Sequence, residues 1–310
     1  MTMRTTLLLS LLLAPAAAWR RAPVMAAGPS RREAIGTAAA GLGLGLGLGF
    51  VKPATAAAPA ADVVILGASG RTGRAAAAYA VSKGMSVAAG TRSGKMPDGM
   101  DLGSAGSSVA ADVKDYEQLL SAVRGAGAVI YAASASNKKD FKKADDARAV
   151  DYDGVVNAAR ACIDAGVPRL VVVSSGAVTR PDSPAYKFTN LFGKIMDYKI
   201  KGEDELRGLY AAKGDPKLTY TIVRPGGLTE EPLKGVKGIA LNQGDEFIGR
   251  IGREDVAAVC VEAISQKSAA NAIIEAYDRD TAQPLVKGAA PTRQRLGDTW
   301  DEMFAGVSAN

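Results

Sequence analysis

From Asp62 onward, short apolar runs alternate with longer segments whose apolar positions recur every three or four residues. The run 63–66, Val-Val-Ile-Leu, is apolar throughout and predicts a strand buried on both faces. A helix is expected over 71–83, with the alanines at 75–78 packed close to the sheet. Further strands are expected at 86–91, 108–111, 128–133, 169–174, 219–224 and 272–277. Helices are expected at 115–123, 144–165, 189–213, 253–266 and 296–304, the last one weak. The segment 93–107 is polar and glycine-rich and reads as mostly loop. Along 144–165, Val155, Ala158, Ala159 and Cys162 fall at three/four spacing and mark an inward stripe. Strands alternating with helices predict an α/β fold whose parallel sheet is covered on both faces.

One turn carries the strongest chemical signal. The segment Val63-Val64-Ile65-Leu66-Gly67-Ala68-Ser69-Gly70-Arg71-Thr72-Gly73-Arg74 places Gly67, Gly70 and Gly73 at three-residue intervals between a strand and an alanine-rich helix. The first glycine permits the tight turn, the second lets backbone approach a pyrophosphate, and the third lets helix and sheet pack closely. The helix N-terminus offers free N–H groups and a positive dipole to phosphate, with Ser69, Arg71 and Thr72 beside it. The second strand ends in Gly90-Thr91-Arg92-Ser93, without the acid that grips the ribose hydroxyls of NAD. Arg92 and Arg71 instead suit a 2′-phosphate, because guanidinium pairs bidentately with phosphate oxygens. The expected cofactor is therefore NADP(H) in preference to NAD(H). Asp112, after the third strand, is positioned for the adenine. Ala132 and Ala133, after the fourth, are small enough to let the cofactor pass.

Charge and composition remove several alternatives. Of 310 residues, 38 are basic and 32 acidic, a net charge of +6. Residues 1–60 hold six basic residues and a single acid, Glu33, so 61–310 is close to neutral. A body so balanced gives no electrostatic case for nucleic acid. The chain has no histidine, which excludes Ser-His-Asp and Cys-His catalysis and His-ligated zinc, so no metal site is expected. Cys162 and Cys260 read as buried small hydrophobes.

The first sixty residues read as a multipartite address. Arg4, the apolar run 7–13 and the alanines at 16–18 have the order of a secretory signal. Trp19-Arg20-Arg21-Ala22-Pro23 follows as a basic transit-like stretch. Arg31-Arg32, the Gly/Ala/Leu run to Phe50 and Ala54-Thr55-Ala56 then resemble a twin-arginine export signal. Removal is favoured over a permanent anchor, because the run 34–50 is at the lower edge for a span and rich in glycine. The expected destination is a plastid, with lumen and stroma both open, and a soluble body of 61–310.

Over about 62–280 the chain resembles the atypical short-chain dehydrogenase/reductases, and within them the NmrA-like group and related plastid NAD(P)-binding proteins. The resemblance rests on Gly-Ala-Ser-Gly-Arg-Thr-Gly-Arg at 67–74, Val-Asp-Tyr-Asp-Gly-Val-Val-Asn-Ala-Ala-Arg-Ala-Cys, Val-Val-Val-Ser-Ser-Gly at 171–176 and Ile-Val-Arg-Pro-Gly-Gly-Leu at 222–228. It implies a Rossmann-type doubly wound parallel sheet with a small C-terminal substrate lobe, here built mainly from 176–215, 225–250 and 278–310. It also implies a Tyr-x-x-x-Lys pair, in which lysine lowers the phenol pKa and holds the nicotinamide ribose. Lys201, followed by Gly-Glu, matches the family lysine; the position four earlier is Asp197. Tyr198, three before Lys201, is the candidate donor, and Tyr186 a more remote one. The family serine falls among Ser174, Ser175 and Gly176, with Ser175 taken as the candidate. Pro225 and Gly226 close the sixth strand and are expected at the nicotinamide and substrate, and Asp255 is expected to cap or orient. Two functions stay open: a plastid reductase of a small carbonyl or conjugated substrate, and a non-catalytic NADP(H)-binding sensor or assembly factor for a photosynthetic complex. A sugar-nucleotide epimerase ranks below both.

Overall fold

The computed structural model describes residues 61–135, 144–191, 193–288 and 294–310. The expected targeting segment, 1–60, lies outside the described residues. Chain order begins β1 (Val63–Leu66), α1 (Arg71–Ser82), β2 (Val87–Thr91), β3 (Gly106–Ala110), α2 (Tyr116–Val123), β4 (Ala128–Tyr131) and α3 (Ala144–Ala147). It continues with α4 (Asp153–Ala165), β5 (Arg169–Val173), α5 (Pro184–Asn190), α6 (Ile195–Lys213), β6 (Thr219–Pro225) and β7 (Gly227–Thr229). Last come β8 (Ile239–Asn242), β9 (Phe247–Ile248), β10 (Arg250–Gly252), α7 (Arg253–Glu262), β11 (Ala272–Asp278), β12 (Gln283–Pro284) and α8 (Trp300–Ala305).

Eight strands form one sheet in the order β3-β2-β1-β4-β5-β6-β11-β8. All neighbours are parallel except β11 and β8, so an antiparallel strand closes one edge. The first strands fill one side of β1 and the later ones the other. The chain therefore reverses direction across the sheet between β1 and β4, which opens a crevice at their C-terminal ends. Alternate residues of β1 serve opposite cores. Val63 and Ile65 pack with α1, α7 and α8; Val64 and Leu66 pack with α2, α4 and α6. This two-sided burial is why the strand is apolar at every position.

Local chemistry sets most element ends. The Asp115 carboxylate accepts the Gln118 N–H and starts α2. Ser183 caps α5 in the same way, with Pro184 in the first turn. Gly166 and Gly214, both left-handed, stop α4 and α6. Thr299 and Glu302 form a reciprocal capping box at α8, which starts four residues later than the pattern predicts.

Several other expectations shift. Strand three runs over Gly106–Ala110, earlier than 108–111, because an edge strand of Gly and Ser carries little apolar signal. The helix-facing side of α1 is Gly73, Ala76, Ala77 and Ala80, with Ala78 exposed. The helix expected at 144–165 contains a π-helical turn at Arg148–Tyr152, where Asp151 is buried. The segment expected as a helix from 189 is two helices, parted at Lys194, which has φ 59°. The helix expected to reach 266 ends at Glu262. Two small ribbons, β7 with β10 and β9 with β12, arise within stretches the pattern left without strands.

Candidate functional site

The glycine loop sits at the crevice. Gly67 has φ +83°, and a Cβ there would stand 2.7 Å from the Ala133 nitrogen. Gly73 is tighter: a Cβ would lie 2.3 Å from the Gly67 carbonyl oxygen. The N–H groups of Gly67 and Ala68 both donate to the Gly90 carbonyl, tying the loop to β2. Helix α1 begins after Gly70 with no side-chain cap and no acid in its first turn. Its first N–H groups are thus left for an anion, and the dipole adds to their pull. Ser69, Gly70 and Arg71 are exposed and Thr72 is half-buried.

Arg92 follows β2 directly, is exposed, and forms no hydrogen bond or ion pair with a described residue. Arg71 differs, for it is already engaged with Glu230, 2.5 Å away. Asp112 is half-buried and accepts the Lys114 N–H. Ala132 donates its N–H to the Leu66 carbonyl, and Ala133 closes against Gly67. These residues fit a dinucleotide: the loop would hold the diphosphate, and Arg92 the adenosine side.

The other half of the cleft is built from ions. Lys201 is exposed, and its Nζ stands 5.8 Å over the Tyr198 ring centroid, a cation–π contact. The Tyr198 hydroxyl has no hydrogen-bond partner among the described residues. Lys199 instead is half-buried, its Nζ 2.8 Å from the buried Asp151 carboxylate. Asp151 also accepts the Ala135 N–H, so it joins the loop after β4 to α6. The residue four before Lys199 is Ile195, buried and apolar. Tyr186 donates to Asp197, and burial followed by that carboxylate pushes its pKa up to about 12.

Ser174 is buried and donates to Glu203, whereas Ser175 is half-buried and bonds the neighbouring Gly176 carbonyl. Glu203 receives Arg224 at 2.5 Å, and Arg224 reaches Glu275 at 3.6 Å. Burial, then the Asp245 charge, raises the Glu275 pKa to about 8. Asp245, fully buried at φ 53°, accepts the N–H groups of Ala177 and Thr179 and the Thr179 hydroxyl. It thereby pins the loop after Ser175. Pro225 and Gly226 are buried in the sheet's own backbone: Pro225 accepts the Gly176 N–H, and a Cβ at Gly226 would stand 2.3 Å from the Gly249 carbonyl oxygen. The close approach that Gly226 permits is to Gly249. Asp255 accepts the N–H groups of Lys234 and Gly235.

Lys199, Asp151, Glu203, Glu275 and Asp245 were not among the residues singled out by sequence. A helical wheel holds the signal for two of them. Ile195, Lys199 and Glu203 recur every four residues and continue to Leu206 and Tyr210 on the buried stripe, while Lys201 falls about 200° from Lys199. No group of three or more metal-ligating side chains occurs among the described residues, and no described helix is long and apolar enough to cross a membrane.

The NAD(P)H-binding family model matches residues 67–267. An uncharacterized chloroplast protein of Arabidopsis thaliana is 31% identical over 233 residues, 71% of this chain and 78% of the relative. The chloroplast protein TIC 62 of Oryza sativa is 27% identical over 256 residues, 76% of this chain and 49% of that relative, so the chain spans about half its length. Among solved structures, a Bacillus halodurans protein assigned to the NAD-dependent epimerases/dehydratases aligns with TM-score 0.57 at 25% identity, over 71% of this chain and 94% of that one. A short-chain dehydrogenase/reductase of Veillonella parvula in complex with NADP shares the fold at TM-score 0.53 and 16% identity, over 71% and 95%.

Proposed function

The chain belongs to the NAD(P)H-binding family, and from that premise we propose that it is an NADP(H)-dependent reductase of the plastid acting on a small carbonyl or conjugated substrate. The observation that carries the reading is the glycine loop, an uncapped helix N-terminus packed backbone to backbone at the crevice between β1 and β4. Arg92, exposed and without a partner among the described residues, supports the 2′-phosphate form over NAD(H). When bound, the nicotinamide supplies hydride. Lys199, fixed by Asp151, holds the ribose in preference to Lys201, and Tyr198 or water supplies the proton. Ser175 contributes a hydroxyl at the end of β5. The chloroplast relatives support a plastid address carried by 1–60.

One observation favours a second reading, an NADP(H)-binding sensor or assembly factor without turnover. The Lys199 charge is neutralised by Asp151, and no lysine ammonium meets the Tyr198 hydroxyl.

Calorimetry with NADPH and NADH, on the protein and on Arg92→Gln, tests the shared premise. We expect Arg92→Gln to weaken NADPH about tenfold, roughly 1.4 kcal/mol, and to leave NADH unchanged. No affinity for either nucleotide sinks both readings. Nicotinamide absorbance followed against quinones and aldehydes then separates them: turnover lost in Tyr198→Phe selects the reductase, and tight binding without turnover selects the sensor.

A further inference from the structure

Two arginines from separate elements converge on one carboxylate oxygen. Arg71 opens α1 at the glycine loop, and Arg253 opens α7. The Nη1 atoms of both lie 2.5 Å from Oε1 of Glu230, in the loop after β7. Arg253 is held, because it is nearly buried and also donates to the Thr229 carbonyl. Glu230 is 61% exposed, so solvent can replace it at little cost. The trio carries a net charge of +1, and it borders the helix N-terminus described above. Burial and the nearby Arg71 charge lower the Arg253 pKa, a sign that one carboxylate does not fully satisfy two guanidinium groups.

We propose that Arg71, at the glycine loop, makes a cradle for a phosphate group and that Glu230, anchored on Arg253, fills it when no nucleotide is bound. Phosphate displaces Glu230 from Arg71, and Glu230 stays on Arg253. Cofactor binding is thereby coupled to the loop after β7, whose next residues are fastened to α7 by Glu254 and Asp255. The inference rests on the dinucleotide reading, and it adds a built-in competitor to it. The shared chemistry is phosphate, from either the diphosphate or the 2′-phosphate of the cofactor.

The test is titration calorimetry of Glu230→Gln with NADPH and with NADH, with thermal melting as a check on folding. Removing the competing charge is expected to tighten binding about threefold to fivefold, the scale of an exposed ion pair. Equal tightening for both nucleotides assigns the cradle to the diphosphate, and tightening for NADPH alone assigns it to the 2′-phosphate. The gain is expected to vanish when Glu230→Gln is made on an Arg71→Gln background, since no guanidinium is then released. Unchanged affinity for both nucleotides, while the parent protein still binds them, overturns the latch and leaves the dinucleotide reading standing. A gain that survives on the Arg71→Gln background also overturns it.

Discussion

The two halves of the sheet's C-terminal edge are held by different forces. Between β1 and β4, backbone meets backbone: Gly67 closes on Ala133 and Gly73 on the Gly67 carbonyl, with no charged side chain needed to set the shape. Across β5, β6 and β11 the shape is set by buried ions, with Ser174, Glu203, Arg224 and Glu275 in one connected run. The first arrangement tolerates changes in pH and salt but not one added carbon. The second tolerates small changes of shape but not the loss of a charge. Under the proposed function the division has a use: the fixed shape of a diphosphate would need a rigid cradle, and a reacting group would need placed charges.

The largest effect is expected where a charge is removed. Arg224→Met keeps much of the side chain's bulk and strands the Glu203 carboxylate in a buried setting. Breaking such a pair typically costs about 3–5 kcal/mol. Urea unfolding at neutral pH should show the midpoint fall accordingly, and a loss under 1 kcal/mol would mean that the ions are hydrated rather than buried. The matching change in the other half is Gly73→Val. Overpacking at that contact should cost about 1–3 kcal/mol and abolish measurable nucleotide affinity. If this variant binds NADPH like its parent, the backbone contact at Gly73 has nothing to do with the cofactor.

The same division explains what was legible in the sequence. The glycine loop could be read because each of its requirements is local: a strand, three spaced glycines and a helix within twelve residues. The parallel sheet could be read because apolar runs alternate with helical periods. The ionic half joins residues far apart in the chain, Asp151 to Lys199, Ser174 to Glu203, Ala177 to Asp245 and Arg224 to Glu275. No short-range pattern announces such pairs. The choice of Lys201 over Lys199 followed its Gly-Glu neighbours, whereas burial follows the helix face, and the two lysines lie on nearly opposite sides. The ribbon strands β7 and β9 were missed because they are only two or three residues long.

The effect that separates the two halves most cleanly is one that changes with pH. Glu275 has an ordinary value of 4.5, raised to about 8 by burial first and by the Asp245 charge next. Between these values the folded chain holds a proton that the unfolded chain releases. Stability from this group is therefore full below about pH 4.5 and falls as pH rises toward 8, by at most about 1.4 kcal/mol per pH unit. The chain contains no histidine, so few other side chains titrate in that window. Glu275→Gln keeps the size and removes the titration. Urea midpoints of parent and variant at pH 5, 6.5 and 8 should diverge steadily, with the variant the more stable at pH 8 and the two close at pH 5. Parallel profiles would mean that Glu275 is ionised throughout, and that Arg224 serves two anions rather than one.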